Sequence, residues 1–149
     1  TTEIYTLSLH DALPIYAVDH GLETPAERAE AGKDETGVIS CRVAAENGRL
    51  VIEVADDGRG VDVEAVRSRA FEVGLAGAEE LAAMDDAAVT ELLFRDGFSS
   101  RRSVGELSGR GVGLAAVRAE ARRLGGTAVL ISEPGRGTRL RVEVPLLDA

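Results

Sequence analysis

From Arg139 to Val144 charged and apolar residues alternate without a break, with Arg139, Arg141 and Glu143 set against Leu140, Val142 and Val144. Successive side chains of a strand point to opposite faces, so this run predicts a strand with one wet and one dry side. TAVLIS upstream supplies a partner strand, and the intervening EPGRG has the chemistry of a turn. An earlier pair of apolar runs, VISCRVAA and LVIEVAD, flanks ENGR. Asn47-Gly48 at its centre marks a tight hairpin, because both residue types tolerate the positive φ of a primed turn. Hairpins that are dry on one face need another layer to cover it.

That layer is legible between and before the hairpins. Val63, Val66, Ala70 and Val73 recur at helical spacing behind Asp62, a good helix cap. Shorter helices are expected over Ala78–Met84 and Asp86–Phe94. Leu114, Val117, Ala121 and Leu124 form the stripe of an amphipathic helix ended by Gly125-Gly126. Near the start, a short helix through AVDHG precedes LETPAERAEAGKDETG, read as a polar loop; RDGFSSRRSVGELSGRG reads as another. The fold class expected is α+β: a two-layer sandwich whose mixed, mostly antiparallel sheet is covered on one face by helices.

Length and charge exclude several functions. The 149 residues amount to one domain, and 44% apolar with 29% charged residues is a globular composition. A net charge of -9 without a basic stripe argues against nucleic acid as a partner. No apolar run approaches the ~20 residues of a membrane helix, and Thr1 to Ile15 lacks the basic end and cleavage site of a signal peptide. The single cysteine, Cys41, forms no internal disulfide, which fits a cytoplasmic protein. Its expected place is a packed strand interior rather than a reactive site.

Three glycine clusters lie at element ends. Asp56-Asp57-Gly58-Arg59-Gly60 follows a strand, where a carboxylate can accept from an exocyclic amine while the glycines admit a flat ring; it is also ordinary turn chemistry. Gly109-Arg110-Gly111-Val112-Gly113 opens the amphipathic helix, so its backbone N–H groups can gather around an anion. The alternative is a plain loop before a helix, and no βαβ unit surrounds it to make a dinucleotide fingerprint. Gly135-Arg136-Gly137-Thr138 makes a hairpin turn that needs no ligand.

In order, AVDHG, DDGRG, a helical insertion, GRGVG and GRGT resemble the N, G1, G2 and G3 boxes of the gyrase, Hsp90, histidine kinase and MutL ATPases, with the Bergerat-type fold that this implies. DHGLETPAERAEAGK, MDDAAVTELLFRDGFSS and LSGRGVGLAAV are similar to the CheA family of chemotaxis histidine kinases. The resemblance implies ATP and Mg²⁺ as cofactors. It implies that Asp56 binds the adenine amine, with Gly58 and Gly60 beside the ring and Thr138 supporting that end. Gly109, Gly111 and Gly113 would give backbone contacts to the phosphates, with Arg110 and Val112 in the same loop. Phe94, Phe98 and Ser99 match the lid, and His20 matches the histidine that ends the N box and would be the catalytic residue.

The implied reaction moves the γ-phosphate to a histidine on another domain, and the phosphate then passes to a response regulator. Dimerisation would use a domain that this chain lacks. In register, Ala12, Ile15 and Tyr16 stand where the N box carries a histidine, an arginine and the metal-binding asparagine. A phenol protonated near neutral pH is a poor Mg²⁺ ligand, so no metal ligand is assigned. Residues 1–15 accordingly read as sequence foreign to the domain at 16–149, itself a fragment of a longer kinase. Two other readings stay open: a non-catalytic nucleotide-binding or interaction module, and an anti-sigma-type serine kinase.

Overall fold

The computed structural model describes residues 21–96, 98 and 113–146. They fall into two compact units, one built from the described residues up to Val61 together with those from Glu120 onward, the other from the described residues between Asp62 and Ala119.

The first unit holds the strands β1 (Ile39–Glu46), β2 (Arg49–Asp56), β3 (Thr127–Glu133) and β4 (Gly137–Pro145). They form an open sheet in the order β1-β2-β4-β3, and each described pairing is antiparallel. The first hairpin turns at Asn47 and Gly48, with φ of 50° and 73°, which is the primed geometry that their sequence calls for. Its register runs from Glu46↔Arg49 to Ile39↔Asp56, so no residue bulges out.

Period two sorts the sheet into faces. Val54, Leu140 and Leu130 lie in register across three strands and are buried, as are Val142 and Ala128 in the next row. The opposite face is ionic: Arg141 reaches Glu143 at 2.7 Å, Glu53 at 3.4 Å and Glu46 at 3.5 Å. Val51 stands on that face yet is only 1% exposed. Long arginine and glutamate stems cover apolar surface while their charged ends stay wet. At the β1 edge the dry face fades, and Val43 and Cys41 are exposed. Cys41 is thus in a strand, as expected, but it is not packed.

The segment read as a polar loop contains a helix, α1 (Pro25–Glu30). Thr24 and Glu27 form a reciprocal capping box: the Thr24 hydroxyl accepts from the Glu27 amide at 3.4 Å, and the Glu27 carboxylate accepts from the Thr24 amide at 2.8 Å. Pro25 at the first helical position loses no hydrogen bond there. Six residues are too few for an apolar period to register, so caps alone announce this helix.

The second unit contains α2 (Val63–Glu72), α3 (Ala78–Ala83) and α4 (Asp86–Glu91), the last continuing into a 3-10 turn at Leu92–Phe94. Asp62 and Asp85 cap α2 and α4 by accepting from Ala65 N at 2.9 Å and Ala88 N at 2.7 Å. Arg67 of α2 donates to the carbonyls of Leu81 and Met84 at the end of α3, where the Leu81 carbonyl also accepts from Met84 N at 3.3 Å. Val66, Ala70, Leu81, Val89, Leu92, Leu93 and Phe94 are buried in this unit.

The last helix, α5 (Leu114–Arg123), keeps Leu114, Val117 and Ala121 buried. Leu124, placed on the same stripe from the sequence, is 43% exposed, although its N–H still donates to the Glu120 carbonyl at 3.1 Å. Gly125 then takes a φ of 75°, and Gly126 N returns to the Ala121 carbonyl at 2.8 Å.

Candidate functional site

β2 ends at Asp56, and its carboxylate is held from one side only. Oδ1 accepts from Gly58 N at 2.9 Å and from Thr138 N at 3.3 Å, while Oδ2 has no donor among the described residues. The half-buried carboxylate therefore offers one oriented acceptor to whatever lies beside it. The turn between β3 and β4 can come this close because Gly137, at a φ of 109°, has no Cβ; one there would collide with the Asp56 carbonyl. Gly60 is similar, with a φ of 80° and space for a Cβ only 2.7 Å from the Glu133 carbonyl.

Backbone bonds stitch these pieces together. Arg59 N donates to the Gly21 carbonyl and Gly135 N to the Arg59 carbonyl, both at 2.8 Å. Val61 N donates to Ser132 Oγ at 2.7 Å, and that hydroxyl lies 3.4 Å from Thr138 Oγ1. Asp56, Gly58, Gly60 and Thr138 are thus brought together within one unit. Asp56 and the glycines were legible as a motif. Ser132 was not, since a lone strand serine carries no signal.

Beneath this loop lies a charged cluster that the sequence reading did not identify. Arg28, on α1, is 1% exposed. Its guanidinium grips the Asp57 carboxylate at 2.7 and 3.2 Å and also donates to Glu23 at 3.3 Å and the Asp34 carbonyl at 2.6 Å. Lys33 Nζ donates to Glu23 at 2.6 Å and to the carbonyls of Asp57 at 2.9 Å and Gly58 at 2.8 Å. Asp57 completes the set by accepting from Val38 N at 2.9 Å.

The Arg28 hydrogen bond holds the Asp57 carboxyl below its ordinary range, against the opposing effect of burial. Burial pushes Glu23 up, but the Lys33 hydrogen bond and the Lys33 and Arg28 charges outweigh it and hold Glu23 low as well. The signal that could have exposed this cluster was the capping box, which fixes Arg28 on a helix rather than in a loop.

Phe94 and Phe98 belong to the second unit and are both buried. The Arg118 guanidinium covers Phe94 at 3.4 Å from the ring centroid while binding Glu91 at 2.6 and 3.0 Å. Gly113 immediately precedes α5, its carbonyl accepting from Ala116 N at 3.0 Å and Val117 N at 3.3 Å. His20, Ser99, Gly109, Arg110, Gly111 and Val112 lie outside the described residues, as does Tyr16 at the metal position. Among the described residues, no three His, Cys, Asp or Glu side chains cluster as a metal site would require.

The chain is 44% identical over 130 residues to the chemotaxis protein CheA of Treponema pallidum, covering 87% of this chain and 16% of that one. It is 43% identical over 129 residues to the gliding motility regulatory protein of Myxococcus xanthus, covering 87% and 17%. CheA of Halobacterium salinarum is 41% identical over 133 residues, covering 89% and 20%. The chain thus spans a fifth or less of these relatives' length. A solved histidine kinase domain, from a blue-light activated kinase of Erythrobacter litoralis, covers 88% of this chain and 38% of that one, at 17% identity and a TM-score of 0.45. Residues 16–148 match the histidine kinase-, DNA gyrase B- and HSP90-like ATPases, and the chain belongs to that family.

Proposed function

We propose that this chain is the ATP-binding catalytic domain of a chemotaxis-type histidine kinase, which passes the ATP γ-phosphate to a histidine on another domain. The observation that carries this reading is Asp56, whose Oδ1 is held by Gly58 and Thr138 while Oδ2 is left as an acceptor. An adenine amine matches that acceptor, and Gly58 and Gly60 would lie beside the ring. Thr138 supports the adenine end through its amide. Around the phosphates, Gly109, Gly111 and Gly113 would donate backbone N–H groups at the start of α5, with Arg110 and Val112 in the same loop. Phe94, Phe98 and Ser99 would form the lid, and His20 would stand at the phosphate end.

Phosphoryl transfer asks little covalent work of the protein; it must orient the γ-phosphate and exclude water. Mg²⁺ supplies charge neutralisation in such reactions, but the described carboxylates do not form a site for it, and Tyr16 replaces the expected amide ligand. Tyr16 favours a second reading, a nucleotide-binding module that does not transfer phosphate. A response regulator, a phosphoacceptor-histidine domain and a homodimer partner belong to the longer protein, which would act in the cytoplasm. No described helix is long and apolar enough to cross a membrane.

Isothermal titration with ADP and a non-hydrolysable ATP analogue, with and without Mg²⁺, tests the reading. ADP binding weakened by about tenfold or more in Asp56→Ala supports the adenine site. Binding unchanged by that substitution removes it, and a large gain with Mg²⁺ would show that another residue holds the ion.

A further inference from the structure

We infer that Arg28 and Lys33 are positioning residues for nucleotide recognition: together they hold the Asp57-Gly58 backbone that aims the Asp56 carboxylate. The inference rests on the reading of Asp56 as the adenine acceptor. Asp56 Oδ1 takes its orientation from Gly58 N at 2.9 Å, so the direction of Oδ2 depends on where Gly58 sits. Two cationic donors fix that place. Lys33 Nζ binds both carbonyls of the turn, at 2.9 Å on Asp57 and 2.8 Å on Gly58. Arg28 binds the Asp57 side chain with both terminal nitrogens, at 2.7 and 3.2 Å, from a fully buried position.

Glu23 ties the two cations together, accepting from Lys33 at 2.6 Å and Arg28 at 3.3 Å. Neither cation touches Asp56. Hydrogen bonds to charged groups are stronger and more directional than neutral ones, which suits them to fixing a carbonyl pair. Backbone bonds tie both sides of Gly58, from Asp57 N to the Val38 carbonyl at 3.2 Å and from Arg59 N to the Gly21 carbonyl at 2.8 Å, and the two cations add charged bonds to the carbonyls between them. The sheet arginines Arg42, Arg139 and Arg141, by contrast, pair with glutamate side chains.

The test compares ADP with purine-riboside diphosphate, which lacks the exocyclic amine, using titration calorimetry on the full chain. Wild type should prefer ADP by about tenfold, the worth of a hydrogen bond to a charged group. Asp56→Ala should abolish the preference. Arg28→Met and Lys33→Met should cut it to about threefold or less, while affinity for the deaminated nucleotide changes less than about twofold. Arg28→Lys should retain more of the preference than Arg28→Met, and adding Lys33→Met to Asp56→Ala should cause no further loss.

A merely structural role would weaken both nucleotides alike and leave their ratio unchanged. That result, or full preference in Lys33→Met, overturns the inference. Lys33 is the more exposed cation, so its variant carries the test if Arg28→Met fails to fold. If Asp56→Ala keeps the wild-type preference, the adenine reading falls and the inference with it. If only the Arg28 and Lys33 variants behave as wild type, the adenine reading stands alone.

Discussion

Asp56 accepts two backbone N–H groups on one oxygen, and this predicts the effect of its nearest isostere. In Asp56→Asn the amide oxygen must face Gly58 and Thr138, since its NH₂ group cannot accept. The outward group then becomes a donor. Preference should move from ADP towards a diphosphate whose purine carries oxygen at the same position, and competition binding would read that reversal. Gly137 offers a second test, because a Cβ there meets the Asp56 carbonyl in a backbone region L residues avoid. Gly137→Ala should destabilise the fold by about 2 kcal/mol or more, measured by urea unfolding.

Asp57 gives a pH prediction. Its folded-state pKa is lowered, chiefly by the Arg28 hydrogen bond, so its stabilisation is present at neutral pH and is lost as acid protonates the folded carboxylate. Glu23 acts in the same direction. Thermal stability should fall as pH drops below about 4, and Asp57→Asn should flatten that decline. An unchanged slope would separate acid sensitivity from this pair.

At the scale of elements, α1 shows where sequence reading succeeds and fails. The strands, α2 and α5 were legible because each carries a period long enough to count, and the Asn47-Gly48 turn because its chemistry is specific. The helix at Pro25–Glu30 carries no such period: its one buried residue is Arg28, so hydrophobicity is silent there. Thr24-Pro25-Ala26-Glu27 was the available signal. Thr24→Ala should cost about 1 kcal/mol of stability by chemical denaturation, the usual loss on removing a threonine cap. The site divided in the same way. Asp56 and its glycines showed as motifs, whereas Arg28, Lys33 and Ser132 act through tertiary contacts among residues far apart in sequence.

At the scale of the molecule, the dry sheet face provides the first unit's apolar contacts. Leu140 lies at its centre, in register with both Val54 and Leu130. Leu140→Ala should cost about 2–5 kcal/mol in urea unfolding, the range for a buried leucine. The order β1-β2-β4-β3 also has a kinetic consequence. Each hairpin joins neighbours in sequence and can close early, but the β2–β4 seam joins chain segments such as Asp56 and Thr138, 82 residues apart. Bringing them together costs loop-closure entropy before any seam contact forms, so formation of the seam should be the slow step of folding, to be read by stopped-flow refolding. Because that cost grows only with the logarithm of loop length, lengthening or trimming the segment between the hairpins should change the folding rate only mildly. The two sides of the Asp56 site lie on opposite banks of this seam, so competence to bind should emerge last during refolding, after most helical and hairpin signal has returned.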